Sequence, residues 1–90
     1  MLIWDEAKRA ANIAKHGLDF AEAESFDWRS ALTQIDNRSD YGEVREIALG
    51  RIGQRLHVLI FTRRGPDVRV ISLRKANPRE ERYYAKAVQA

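Results

Sequence analysis

Ninety residues, 44% of them apolar and 32% charged, suffice for one small globular domain, here residues 1–90, and are too few for two cores. There is no cysteine, which excludes disulfides and thiolate-bound zinc. The formal net charge of +3 is unevenly spread: residues 1–45 carry 6 Lys/Arg against 9 Asp/Glu, and residues 46–90 carry 10 against 4, so contact with a polyanion is expected from the second half.

The opening Met1-Leu2-Ile3-Trp4-Asp5 has no basic stretch followed by an apolar one and does not read as a secretory signal. No apolar run approaches the ~20 residues needed to cross a bilayer, so the expectation is a cytoplasmic protein without membrane contact. Leu2-Ile3-Trp4 fits a short edge strand or a lid on the core. Asp5 is placed to cap a helix with Ala7, Ala10, Ala11 and Ile13-Ala14 along one side. That helix ends at Lys15-His16-Gly17, where basic side chains suit the dipole and glycine suits the left-handed position. A second short helix is expected from about Asp19 to Ser25, with Phe20, Ala23 and Phe26 inward.

The apolar period then falls from 3.6 to 2. Strands are expected over 30–36, 44–52, 56–62 and 68–73, with turns at Asn37-Arg38-Ser39-Asp40, Gly53-Gln54 and Gly65-Pro66-Asp67. The third strand is apolar almost throughout, His57 excepted, and reads as central. Asn77-Pro78-Arg79-Glu80 announces a last helix, with Asn as N-cap, Pro at the first position and Glu as capping-box acid. Two N-terminal helices, an antiparallel sheet of about four strands and a C-terminal helix make an α+β domain.

Several chemistries lack their residues. There is no Gly-rich phosphate loop and no Gly-x-Ser-x-Gly elbow. Neither His16 nor His57 belongs to a metal-binding pair on a helix, and no aspartates cluster as a two-metal nuclease requires, so no metal and no cofactor is expected. What remains is arginine on strands. Arg63 and Arg64 end one strand, Arg69 begins the next, Arg74 and Lys75 end it, and Arg79 and Arg82 follow. Simple alternation puts Ser72 and Arg74 on one face and Arg69, Leu73 and Lys75 on the other. If the two strands pair across the Gly-Pro-Asp turn, Thr62, Arg64, Ser72 and Arg74 line one patch.

Such a patch suits phosphodiester chemistry. Attack by an RNA 2′-hydroxyl needs in-line positioning, a base, an acid and cations for the phosphorane. Guanidinium forks bind phosphate oxygens in pairs but are poor bases. The base is better sought in a lysine depressed by neighbouring cations or in His16, of a residue type whose ordinary pKa is about 6.5. Each residue also has an ordinary structural reading. Strand-end arginines protect edges, His16 caps a helix, His57 fills a core position, and Tyr83 and Tyr84 pack a helix. Trp4 and Trp28 read as core or interface residues.

In order and spacing, Trp4-Asp5 with Asn12 and Lys15-His16-Gly17; Phe20-Ala21-Glu22-Ala23; Asp40-Tyr41-Gly42-Glu43-Val44-Arg45; Phe61-Thr62-Arg63-Arg64-Gly65; Arg69-Val70-Ile71-Ser72-Leu73-Arg74-Lys75-Ala76; and Glu80-Glu81-Arg82 with Tyr84 carry a resemblance. Over nearly its whole length the sequence resembles the BrnT toxin family. The resemblance implies a RelE-like ribonuclease fold whose sheet presents a basic surface to RNA. It also implies a partner antitoxin, BrnA, that covers the toxin and helps the complex repress its promoter DNA. The active surface it implies falls on Arg64, Ser72 and Arg74, with Lys15, His16, Arg82 and Tyr84 as further members. One position departs from the pattern: Leu73 stands where Ala is expected.

Together these readings give an endoribonuclease that cleaves mRNA without a metal. Arg64 and Arg74 stabilise the phosphorane, Ser72 positions the scissile group, and Lys15 or His16 moves the proton. Arg63, Arg69, Lys75, Arg82 and Tyr84 hold RNA. The alternative is a non-catalytic module that serves as structural partner and co-repressor in an antitoxin–DNA complex.

Overall fold

A computed structural model describes residues 1–89 of the chain. Its elements are β1 (Leu2–Ile3), α1 (Glu6–His16), a 3-10 helix (Phe20–Ser25), β2 (Leu32–Asp36), β3 (Arg45–Ile52), β4 (Arg55–Arg64), β5 (Asp67–Lys75) and α2 (Pro78–Gln89). The α+β class is as expected, but the sheet has five strands, in the order β1-β5-β4-β3-β2. β2 to β5 form the anticipated antiparallel meander. The extra strand is β1, which joins β5 in parallel through Leu2↔Val68 and Ile3↔Arg69.

Local chemistry accounts for the helix ends. The Asp5 carboxylate accepts from the Lys8 N–H, and Gly17 closes α1 in the left-handed conformation (φ 71°) while its N–H donates to the Ile13 carbonyl. The second helix proves to be 3-10 rather than α. Phe20, Ala23 and Phe26 recur every third residue, the period at which a 3-10 helix aligns side chains, and all three are buried. A capping box between Asp19 and Glu22 starts this helix. The tip of the Phe26 ring then closes on Gly50 of β3, where a β-carbon would stand 2.5 Å from Cζ.

The core has two parts, one on each face of the sheet. Leu18, Phe20, Ala23 and Phe26 pack on Ala48, Leu59, Phe61, Val70 and Leu73. On the opposite face Tyr84 of α2 packs with Leu56, Val58 and Ala76, flanked by Leu32, Ile47 and Leu49. β4 is thereby covered on both sides over most of its length, as its composition predicts. His57 is buried there, with Nδ1 donating to the Arg55 carbonyl at 2.8 Å.

Two findings differ from simple periodicity. The alanine-rich side of α1 (Ala7, Ala10, Ala11, Ile13, Ala14) is exposed, and the helix instead buries Asn12, which is 6% exposed. Asn12 Oδ1 accepts from the Leu73 N–H at 3.1 Å, and its Nδ2 donates to the carbonyls of Leu73 (2.8 Å) and Leu18 (2.9 Å). The amide thus satisfies a stretch of β5 edge that β1 is too short to reach. The second difference is a bulge. Ser72 faces Ile60 and Val70 faces Phe61, which leaves Ile71 as an extra residue and resets the alternation. Arg69, opposite Thr62, therefore shares the α2 face with Ser72 and Arg74, which corrects the expectation that it lies on the other side.

Candidate functional site

On the face that carries α2, cross-strand partners form rows about 7 Å apart. One row is Leu32, Leu49, Val58 and Arg74; the next is Gln34, Ile47, Ile60 and Ser72. Beyond them Asp36 faces Arg45, and Thr62 faces Arg69. α2 covers only part of this face and leaves a groove of about 410 Å³. Its floor is Ile47, Leu49, Val58 and Ile60, and its rim includes Arg38, Arg74, Arg79, Glu80 and Tyr83.

The start of α2 fixes Arg74. Asn77 Oδ1 accepts from the Glu80 N–H at 2.8 Å, and Glu80 Oε1 accepts from the Asn77 N–H at 2.9 Å, completing the expected capping box. The same carboxylate takes Arg74 Nη1 at 2.8 Å and Nη2 at 2.7 Å. Arg74 hydrogen bonds hold the Glu80 carboxyl below its ordinary range, against the opposing effect of burial. Glu80 meets the guanidinium end-on. Among the described residues the Nε side of the fork has no acceptor and remains for a second anion.

Around the free edge of β5, the last turn of α1 forms a shallow cleft lined by Lys8, Asn12, Lys15, His16, Ile71 and Ser72. Burial pushes the His16 imidazole below its ordinary 6.5, and the charges of Lys15 and Arg74 push it further. The fold therefore brings four of the expected residues (Lys15, His16, Ser72 and Arg74) to one edge, from two elements that Asn12 holds together.

Arg64 is not among them. It faces Asp67, ion-pairs with Glu43 at 2.9 Å, and stands six positions along β4 from Val58, the partner of Arg74. Arg64 and Arg74 are thus ~20 Å apart along the sheet and do not share one patch. Arg63 pairs with Glu46 at 2.7 Å on the opposite face. Lys75 and Arg82 are exposed. Tyr84 is 4% exposed, and its hydroxyl donates to the Ser30 carbonyl, so no ring face is open to a base; its neighbour Tyr83, 60% exposed, lines the groove instead. Leu73 is fully buried, so the departure from the family pattern falls in the core. Trp4 and Trp28 pack edge-on against Phe20 and against Phe26 and Phe61.

Sequence reasoning missed Arg38. Its segment reads only as a turn, yet Arg38 Nε and Nη2 donate to Asp36 at 2.7 and 2.8 Å. The Asp36 side chain is 0% exposed against 64% for Arg38, and this pairing pulls the carboxyl down to about 2. The available signal was Asp36-x-Arg38, in which Asp36 is the last residue of a strand. Glu80 was visible only as a helix cap. No group of three or more His, Cys, Asp or Glu side chains suited to a metal occurs among the described residues. No helix there is long and apolar enough to cross a membrane.

Guanidinium forks, a hydroxyl and a proton-accepting imidazole share an affinity for phosphate. Fold and site thus define a small basic α+β domain suited to a phosphodiester chain. The model of the family described as ribonuclease toxin, BrnT, of type II toxin–antitoxin systems matches residues 4–80, and the chain belongs to that family. Membership makes it a ribonuclease toxin, with RNA as substrate and an antitoxin as partner. The matched segment includes Lys15, His16, Ser72, Arg74 and Glu80 and ends before Arg82 and Tyr84. No curated protein matches the chain.

Proposed function

We propose that the chain is a metal-independent endoribonuclease that cleaves mRNA at the outer edge of β5. The observation that carries this reading is the His16 imidazole, held below its ordinary pKa beside Arg74 and at the same edge as Ser72. An imidazole that stays neutral at pH 7 is competent to accept a proton. His16 takes the proton of the 2′-hydroxyl as its oxygen bonds to phosphorus. The bond from phosphorus to the 5′-oxygen breaks, and Lys15 supplies that oxygen's proton. The products are a 2′,3′-cyclic phosphate and a 5′-hydroxyl end. The Nε side of Arg74 and the Ser72 hydroxyl hold the non-bridging oxygens as charge builds on them.

Arg64, ~20 Å away by the strand spacing, serves the RNA backbone rather than the reacting phosphate. Arg69, on the same face, and Arg82 of α2 extend that contact, whereas the registers put Arg63 and Lys75 on the opposite face. The BrnT resemblance adds a BrnA-like antitoxin, promoter DNA held through the antitoxin complex, and a cytoplasmic setting. Induced expression of the lone chain tests the reading. Growth arrest with RNA loss is expected for the wild type, and neither for Arg74→Ala at equal soluble level with antitoxin binding intact. An Arg74→Ala chain of full toxicity would sink the site assignment. A wild type that folds and causes no arrest would point to the non-catalytic binding module.

A further inference from the structure

Apart from Arg74 and its partner Glu80 on the rim, the groove on the α2 face is not used by the cleavage chemistry at the β5 edge, yet its composition is specific. Arg38 and Arg74 lie on its rim close enough for their charges to oppose each other. Arg74 already has Glu80, and the Asp36 carboxylate lies wholly buried behind Arg38. Burying a carboxylate is costly, and an exposed guanidinium needs no such anchor to stay solvated. What the anchor supplies is direction: two bonds to Asp36 restrict a side chain that would otherwise sample many rotamers. Between these charges the floor is apolar, and the open ring of Tyr83 stands beside it. A flat apolar floor, an exposed aromatic ring and flanking cations are the features that bind an unstacked nucleotide of single-stranded RNA. The volume of about 410 Å³ lies within the range of small-ligand sites.

We propose that this groove is a subsite for the nucleotide next to the scissile phosphate. Its base lies on Ile47, Val58 and Ile60 against Tyr83, its phosphate is held by Arg38, and Asp36 is the positioning residue that aims Arg38. The inference rests on the cleavage reading above, because it places this nucleotide beside a phosphate held on Arg74. The charge balance favours RNA over a protein segment: Arg38, Arg74 and Arg79 line the groove against Glu80.

The test uses the full chain and a short single-stranded RNA containing a mapped cut site, with a 2′-deoxy nucleotide at that site for binding measurements. Arg38→Ala is expected to weaken binding about tenfold and lower the salt slope by about one unit, with KM raised and kcat little changed. Asp36→Asn should act in the same direction on KM and salt slope, which a merely structural role would not move. Tyr83→Ala should weaken binding by about fivefold or more, and should add nothing when the adjoining nucleotide is abasic. Tyr83 is exposed, so that variant does not depend on refolding the core. Wild-type affinity and salt slope in folded Arg38→Ala, or equal affinity for intact and abasic RNA, would overturn the subsite. If the wild type cuts normally and these variants match it, only the subsite fails. If RNA binding depends on Arg38 and Tyr83 but no cleavage occurs, the cleavage reading fails and with it the placement beside a scissile phosphate, and the groove stands as a nucleotide-binding site alone. Tight binding of free mononucleotide with no gain from a longer RNA would overturn the placement beside a scissile phosphate.

Discussion

The Asn12 side chain exchanges two hydrogen bonds with the backbone of Leu73, 61 residues away, taking the place of a neighbouring strand at the edge of β5. Lys15 and His16 follow one helical turn later on the same side of α1, so this contact fixes where they meet Ser72. Asn12→Ala strips partners from the Leu73 N–H and carbonyl and from the Leu18 carbonyl. A loss of about 1–3 kcal/mol of stability is expected from a denaturant midpoint. kcat should fall in the fraction that remains folded, because His16 loses its position; an unchanged midpoint would contradict the edge-pairing account.

Arg64 and Arg74 should separate kinetically. Arg74→Ala is expected to lower kcat by ~10²–10³, as for loss of a cation at the reacting phosphate. Arg64→Ala should weaken RNA binding a few-fold and reduce the salt slope by about one unit, with kcat nearly unchanged. Equal kcat losses in both would mean that the two arginines serve one phosphate after all.

The pH dependence follows from His16. Its folded pKa is lowered, chiefly by burial, so cleavage should keep its full rate through neutral pH and fall only below about 6.5. Stability has the same sense: it is complete above the unfolded value near 6.5 and is lost as pH falls toward the lower folded one. A rate–pH profile of the wild type beside His16→Gln checks this, and an acid limb that survives in the variant would assign it to another group.

Asp36 acts further into acid. Its carboxyl is pulled from 3.8 to about 2, so the stabilisation it gives is present above 3.8 and lost as pH falls through about 2. Thermal unfolding between pH 5 and pH 2 should therefore flatten in Asp36→Asn.

Gly50 gives a control away from the site. A β-carbon there would stand 2.5 Å from the Phe26 ring, so Gly50→Ala should cost about 1–3 kcal/mol by overpacking. The kcat of the folded fraction should not change.

Signals carried by a few adjacent residues were legible in the sequence. The Asn77–Glu80 capping box, the Gly17 stop and the continuous apolar run of β4 each have a local cause and appear as expected. Features decided by packing were not. The bulge at Ile71 moves Arg69 to another face without any mark in composition. Tyr83 and Tyr84 are chemically interchangeable in sequence, and only the docking of α2 decides which is buried. α1 buries a polar amide because a strand edge needs it, while the alanines that suggest a core face stay in solvent. Arg38 is informative only once Asp36 is known to be buried behind it.

The most direct test of the central claim is cleavage by the purified chain, in excess chelator, of a short RNA and of the same RNA with a single 2′-deoxy nucleotide at the cut position. The account predicts that the all-ribose RNA is cut to a 2′,3′-cyclic phosphate and a 5′-hydroxyl end, and that the deoxy substitution abolishes cutting there. Cleavage of the deoxy-substituted site, or products bearing a 5′-phosphate, would contradict attack by the 2′-hydroxyl at the edge formed by His16, Ser72 and Arg74.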